Sequence, residues 1–169
     1  EQIFSERYAC VDCGVSLEDL APRMFSFNSP YGACPACDGL GTILEFDPDL
    51  IVPDQDRTLA DGAIDAWRKG GKRMNIFYNR LLRQFCRSAG CSMDTPFKDL
   101  APKLRKLLLN GTNAKEEKQY GFYFEGVIPN LERRFERTDS EFVKARLAGY
   151  LSEQPCETCR GARLRPESL

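Results

Sequence analysis

The sequence predicts an α+β fold that is mainly α, in which a small cysteine-bearing platform is interrupted by a largely helical insertion. Three observations carry that prediction. Cys-x-x-Cys pairs stand toward both ends of the chain, at Cys34/Cys37 and Cys156/Cys159. Between them, apolar residues recur at the helical period. Strand-like stretches are short, and the two clearest lie before residue 47. The 169 residues, 42% apolar and 29% charged, describe a globular chain able to bury a core, not a disordered tail. Histidine is absent, which excludes Ser-His-Asp and Cys-His catalysis, His-bearing zinc protease motifs and a histidine pH switch. No apolar run reaches the roughly 20 residues of a membrane span. The absence of a secretory pattern gives a cytoplasmic, reducing compartment as the expectation. Glu1 in place of Met leads us to expect a piece of a longer protein.

The platform is expected at 1–47 and 126–169. Its first part carries Cys10/Cys13 in ACVDCG and Cys34/Cys37 in ACPACDGLG. Phe25-Ser-Phe27-Asn28 alternates apolar and polar residues and predicts a short strand, followed by a turn at Ser29-Pro30-Tyr31-Gly32. Leu40 to Phe46 is a second strand candidate. The stretch from Asp47 to Asp61, acidic and marked by prolines, leads away from the platform.

The insertion is expected at 48–125. Phe77, Leu81, Leu82 and Phe85 define the apolar face of a first helix, with Arg80, Arg83 and Arg87 elsewhere on it. Thr95-Pro96 starts a second helical region, striped by Leu100, Leu104, Leu107 and Leu108 and stopped at Asn110-Gly111. From Lys115 to Phe124 the chain is polar and then aromatic, and Tyr120, Phe122, Tyr123 and Phe124 predict a strand or loop. Ile128-Pro129-Asn130 opens a further helix bearing Leu131 and Phe135. A last set, Phe142, Val143, Leu147 and Tyr150, returns the chain to Cys156. Cys86 and Cys91 lie in RQFCRSAGCSM, where Cys86 is expected as a small core residue and Cys91 as a loop thiol.

In a reducing compartment, paired cysteines more often hold metal than form disulfides. A Cys-x-x-Cys turn brings two thiolates to one edge of a tetrahedron, which suits Zn2+, and a following glycine lets backbone N–H groups reach the sulfurs. Spacing alone favours joining Cys10/Cys13 with Cys34/Cys37. Motif form favours another answer, because Cys34-Pro-Ala-Cys37-Asp-Gly39 and Cys156-Glu-Thr-Cys159-Arg-Gly161 share Cys-x-x-Cys-x-Gly, whereas Cys10/Cys13 has its glycine at Gly14. We take Cys34, Cys37, Cys156 and Cys159 as one closed structural zinc site, a zinc-knuckle platform. Cys10 and Cys13 are then a half-site completed outside the chain. A closed four-thiolate site leaves no open position for catalysis.

The near-zero net charge conceals a cancellation. Residues 1–66 hold 3 Lys+Arg against 13 Asp+Glu, while 67–118 hold 13 against 4. Clustered cations release counterions from phosphates and give sequence-independent affinity for DNA. The phosphate-contact candidates are Arg68, Lys69, Lys72, Arg73, Arg80, Arg83, Arg87, Lys103, Arg105 and Lys106. Trp67, beside the basic Gly70-Gly71 loop, reads as a core residue in preference to a base-stacking one. Gly71-Lys72 is not a phosphate-binding loop, since Arg73 follows where Ser/Thr is required.

Around the cysteines, Phe4-Ser-Glu-Arg-Tyr-Ala-Cys10-x-x-Cys13-Gly14, Pro22-Arg-Met-Phe-Ser-Phe-Asn28 and Gly32-Ala-Cys34-Pro-x-Cys37-Asp-Gly-Leu-Gly41 resemble the UvrA family of the bacterial ABC excinuclease. So do Phe124-Glu-Gly126, Asn130-Leu-Glu-Arg-Arg134 and Pro155-Cys156-x-x-Cys159-x-Gly161-x-Arg-Leu164. The resemblance implies a parent that is a homodimeric ABC-type ATPase, finds helix-distorting lesions in double-stranded DNA and loads UvrB in nucleotide excision repair. It implies that this chain is a zinc module interrupted by an insertion domain lying beside DNA. It supports the pairing chosen above and puts the partners of Cys10/Cys13 upstream. The sequence has neither a Walker A motif nor Leu-Ser-Gly-Gly, so ATP is expected only in the parent, and UvrB contact through parts not in this chain. The alternative is a protein-interaction module whose basic insertion docks on an acidic surface. An enzymatic reading comes third, since no nucleophile–base pair is visible.

Overall fold

The computed structural model describes residues 21–168. The described residues divide into two compact units, one formed by residues 21–44 with 153–168, the other by Glu45–Ser152. The fold is α+β and mainly α, with seven α-helices and one two-stranded sheet among the described residues.

In the first unit, Pro22–Phe25 forms a short 3-10 turn and the chain from Ser26 to Asn28 goes on in turns, so the strand expected from the alternation of Phe25 to Asn28 does not form. Pro22 supplies the pre-set φ that starts such a turn. The chain then keeps turning, with Ser29 N–H on Ser26 O at 3.1 Å and Ala33 N–H on Ser29 O at 2.8 Å. Strand β1 (Thr42–Phe46) leads out of this unit and β2 (Leu151–Pro155) leads back. Their antiparallel register is fixed by Cys156 N–H on Gly41 O at one end and Asp47 N–H on Tyr150 O at the other, both 2.9 Å.

The second unit begins with α1 (Pro48–Ile51), whose first turn is closed by the Asp47 carboxylate accepting from Asp49 N–H at 2.8 Å. The four-residue α2 (Asp65–Arg68) follows, then the 18-residue α3 (Lys72–Ala89). The buried stripe of α3 is Tyr78, Leu82, Phe85 and Cys86. Phe77, expected in that stripe, is 53% exposed, because the true face is rotated by about one residue. Trp67 is buried, stacked on Tyr78 with ring centroids 4.3 Å apart.

Next come α4 (Pro102–Asn110), α5 (Ala114–Tyr120), α6 (Val127–Arg137) and α7 (Glu141–Ala148). Helix α5 takes the polar part of the stretch from Lys115, and the aromatic residues Phe122, Tyr123 and Phe124 follow it in a loop, one of the two forms expected of them. It is started by a reciprocal cap: the Asn113 side chain accepts from Glu116 N–H and the Glu116 carboxylate accepts from Asn113 N–H, each at 3.0 Å. Helix α6 packs against both α4 and α7. Its Val127 and Leu131 are fully enclosed in the core that also buries Phe85, Leu108 and Leu147. The boundary expected at 126 therefore falls inside the second unit, whose core needs α6 and α7. Phe142, expected to be apolar lining of the same core, projects into solvent on α7.

Candidate metal centre and basic surface

Two chain segments of the same local shape build the cysteine centre in the first unit. After Cys37 the backbone passes through left-handed Asp38 (φ 49°) and Gly39 (φ 78°). After Cys159 it passes through Arg160 (φ 50°) and Gly161 (φ 86°). A side chain on Gly39 would meet Phe27 O at 2.2 Å, so the first knuckle is pressed against its neighbour and requires glycine there. The segments are tied together by Cys34 N–H on Arg163 O and Cys156 N–H on Gly41 O, both 2.9 Å.

Cys34, Cys37, Cys156 and Cys159 are all buried, with sulfurs within 4.8 Å of one another. The cross-pairs are Cys34 Sγ to Cys156 Sγ at 3.9 Å and Cys37 Sγ to Cys159 Sγ at 3.7 Å. Zinc–thiolate bonds of about 2.3 Å place tetrahedral sulfurs about 3.8 Å apart, the length of both cross-pairs, and all four donors lie close enough to converge on one ion. A disulfide would bring two sulfurs to about 2.05 Å. Gly41 N–H donates to Cys37 Sγ at 3.2 Å, a contact that favours thiolate. Burial pushes the Cys34 thiol up to about 11, while the backbone N–H of Cys159, joined by that of Thr158, draws Cys156 down to about 7 against burial. These four cysteines can hold a metal ion. Cys10 and Cys13 lie outside the described residues. Cys86 is a buried core residue and Cys91 a partly exposed thiol just beyond α3.

The ten basic candidates separate into three groups. Arg68 and Lys69 are engaged by Asp65, with Lys69 Nζ 2.6 Å and Arg68 Nη2 2.5 Å from its carboxylate. Asp65 is itself buried and is supported by the Tyr150 hydroxyl at 2.9 Å. Lys72, Arg73, Arg80, Arg83 and Arg87 all stand on α3 and are exposed. None of these five joins an ion pair among the described residues, and α3 contains no acidic residue. The helix opens on Lys72 and Arg73, cations at the end of the helix dipole that favours anions. Lys103, Arg105 and Lys106 are on α4, which packs against α6, whereas α3 packs against α2. Lys103 Nζ donates to Gln119 at 3.1 Å, and Arg105 is half-buried.

The polar hub beneath α3 escaped sequence reasoning. Asn130 is buried and its Oδ1 accepts from Trp67 Nε1 at 3.2 Å and from the Tyr78 hydroxyl at 3.1 Å. Its Nδ2 donates to Glu125, which is also held by Arg133 through bonds of 2.6 and 2.9 Å. Burial resists, but the Arg133 guanidinium first, and then Asn130, keeps the Glu125 carboxyl below its ordinary range. Arg68 and Lys69, the local partners of Asp65, stand at helical spacing, but the groups that bury it and Asn130, namely Tyr150, Trp67 and Tyr78, are distant in sequence. The Asn113-x-x-Glu116 cap of α5 was a readable signal.

A family profile described as the UvrA DNA-binding domain matches residues 47–149. Among curated relatives, UvrABC system protein A of Listeria innocua is 44% identical over all of this chain and 18% of its own length. The protein of the same description from Staphylococcus aureus is 47% identical over 98% of this chain and 18% of its own length. The chain thus spans less than a fifth of these relatives. The crystal structure of UvrA2 from Deinococcus radiodurans superposes on 86% of this chain and 20% of its own, with a TM-score of 0.59 and 26% identity.

Proposed function

The chain belongs to the UvrA DNA-binding domain family, and from that premise we propose that it is the DNA-binding zinc module and insertion domain of a damage-recognition ATPase of nucleotide excision repair. The observation that carries this reading is α3, with five exposed cations, no carboxylate and no ion pair to neutralise them among the described residues. Such a surface binds the phosphate backbone without reading sequence. Lys72, Arg73, Arg80, Arg83 and Arg87 are its principal contacts, with Lys103, Arg105 and Lys106 secondary. Arg68 and Lys69 contribute least, because Asp65 already occupies them.

In the same reading Cys34, Cys37, Cys156 and Cys159 hold a structural zinc ion, which stabilises the knuckle turns and supplies no open position for chemistry. Cys10 and Cys13 are a half-site completed elsewhere in the parent. ATP turnover, dimer formation and the meeting with UvrB belong to the parent, in the cytoplasm. Among the described residues no helix is long and apolar enough to cross a membrane.

The test is anisotropy of a labelled duplex across a salt series. Affinity is expected to fall linearly on logarithmic axes, and Arg80→Gln, Arg83→Gln and Arg87→Gln together are expected to reduce the slope by about 0.9 per lost phosphate contact. An unchanged slope in that triple variant would remove α3 from the interface. Capture of an acidic protein, with no shift of DNA, would favour a docking module instead.

A further inference from the structure

We propose that Phe77, with Ile76 beside it, is a wedge that enters a weakly stacked base step of a duplex held along α3. The proposal rests on the DNA-facing reading of that helix and adds to it a means of favouring distorted DNA. Phe77 is 53% exposed and Ile76 58% exposed, although both are large apolar residues. At 100° per residue, Arg73, Ile76, Phe77, Arg80, Arg83 and Arg87 share one face of α3. Two apolar side chains thus sit in a single turn, with arginines before and after them. A shallow groove of about 490 Å3 continues from Ile76 past Arg80, Arg83 and Arg87.

The occupant follows from charge and from the shape of the apolar patch. A lipid surface calls for an apolar stripe running the length of a helix, but here the apolar part is one turn and the rest of the face is arginine with Gln84. A polyanion with a local apolar opening fits it, and a base step with broken stacking is such an opening. Proteins that wedge Phe or Ile between bases bear an unstacking cost, which is least where the duplex is already damaged.

The wedge is also backed by rigid structure. The Phe77 ring stands edge-on against Tyr78 at 5.3 Å, and Tyr78 lies flat on Trp67 at 4.3 Å. Asn130 Oδ1 holds both Tyr78 and Trp67 from below. A side chain fixed on such a base loses little freedom on insertion.

The experiment compares two duplexes that differ only in an abasic site placed next to a fluorescent adenine analogue. Phe77→Ala in the 169-residue chain is expected to weaken binding to the abasic duplex by about tenfold or more and to leave the fully paired duplex nearly unchanged. The rise in analogue fluorescence on binding should disappear with it, while Phe77→Leu retains part of both effects. Phe77 is exposed, so circular dichroism should show an intact fold. Equal weakening on both duplexes, or none on either, would sink the wedge while the salt series still supports DNA binding. A wild-type chain that binds neither duplex overturns the wedge together with the reading it rests on.

Discussion

The phenolic hydroxyl of Tyr150 donates a 2.9 Å hydrogen bond to Oδ2 of Asp65, a residue 85 positions away. The same carboxylate receives Lys69 and Arg68, so one buried anion joins the end of the second unit to its basic loop. Burial pushes Asp65 upward, yet hydrogen bonds from Lys69, Tyr150 and Arg68 together hold it below its ordinary 3.8. Tyr150 is pushed up to about 12, by burial first and by Asp65 second.

Tyr150→Phe keeps the ring and deletes this bond. Hydrogen bonds to charged groups contribute about 1.5–3 kcal/mol, and a loss of that size is expected in urea unfolding at neutral pH. The pH profile gives a second signature. A raised Tyr150 contributes fully below its ordinary 10.0 and loses its contribution as pH rises toward about 12, because the unfolded chain releases its proton first. The lowered Asp65 contributes above 3.8 and is lost as pH falls through its folded value. Wild-type stability should therefore fall on both flanks. The part of the alkaline fall that comes from Tyr150 should be missing in Tyr150→Phe, and its persistence there would assign that part to another group.

Local chemistry was legible in the sequence to the extent that the partners were local. The repeated Cys-x-x-Cys-x-Gly announced two matching turns, and the structure shows left-handed residues at corresponding places, Asp38-Gly39 and Arg160-Gly161. Helical stripes were legible in period but less so in phase, since a one-residue rotation exchanges Phe77 for Tyr78 on the buried face. Alternation at Phe25 to Asn28 misled because backbone turns from Pro22 onward take precedence over a four-residue pattern. The burial of Asp65 and Asn130 left no trace because it depends on Tyr150 and Trp67, tens of residues away, although Arg68 and Lys69 stand at i+3 and i+4 from Asp65.

Metal removal should act on one unit and spare the other. Among the described residues the cysteine cluster has Ile43 as its partly buried apolar neighbour, whereas the Glu45–Ser152 core is large and contains no cysteine of that cluster. A strong chelator is expected to release one equivalent of zinc from the four-cysteine site and make Cys34, Cys37, Cys156 and Cys159 react rapidly with a thiol reagent. Cys86 should remain slow. Trp67, the only tryptophan, should keep its buried emission. A red shift of Trp67 on chelation would show that the helical core depends on the metal.

The cap of α5 offers a smaller and cleaner test. Asn113 accepts from the N–H groups of Lys115 and Glu116, both at 3.0 Å, at an exposed helix start. Asn113→Ala is expected to cost about 1 kcal/mol in chemical denaturation. Asn113→Asp should restore most of it, since a carboxylate caps equally well and suits the helix dipole. Loss without rescue by Asp would mean that the side chain matters for something other than capping.

The steepest effect is expected where α4 ends. Gly111 and Gly126 both have positive φ, 85° and 91°, and their backbones lie against each other. A Cβ on Gly111 would meet Glu125 O at 2.2 Å, and one on Gly126 would meet Gly111 N at 2.3 Å. Neither neighbour is the movable end of a side chain. Thr112 holds the same crossing, its N–H on Phe124 O at 2.8 Å and its Oγ1 accepting from Phe124 N–H at 2.9 Å. Adding a methyl therefore brings both backbone strain, about 1–3 kcal/mol, and overpacking of similar size. Gly111→Ala or Gly126→Ala should each destabilise by about 2–6 kcal/mol, which exceeds the Asn113→Ala cost and at its upper end approaches the whole stability of a small domain. Gly121→Ala is the control, since it shares a positive φ of 70° but has open space around it. Its ψ of 19° makes it ordinary left-handed backbone, whereas Gly111 (ψ −179°) and Gly126 (ψ 155°) lie where glycine alone is at ease. Gly121→Ala should therefore show only the milder strain, and a loss equal to that of Gly111→Ala would mean that neither that backbone region nor the contact at the crossing is what requires glycine there.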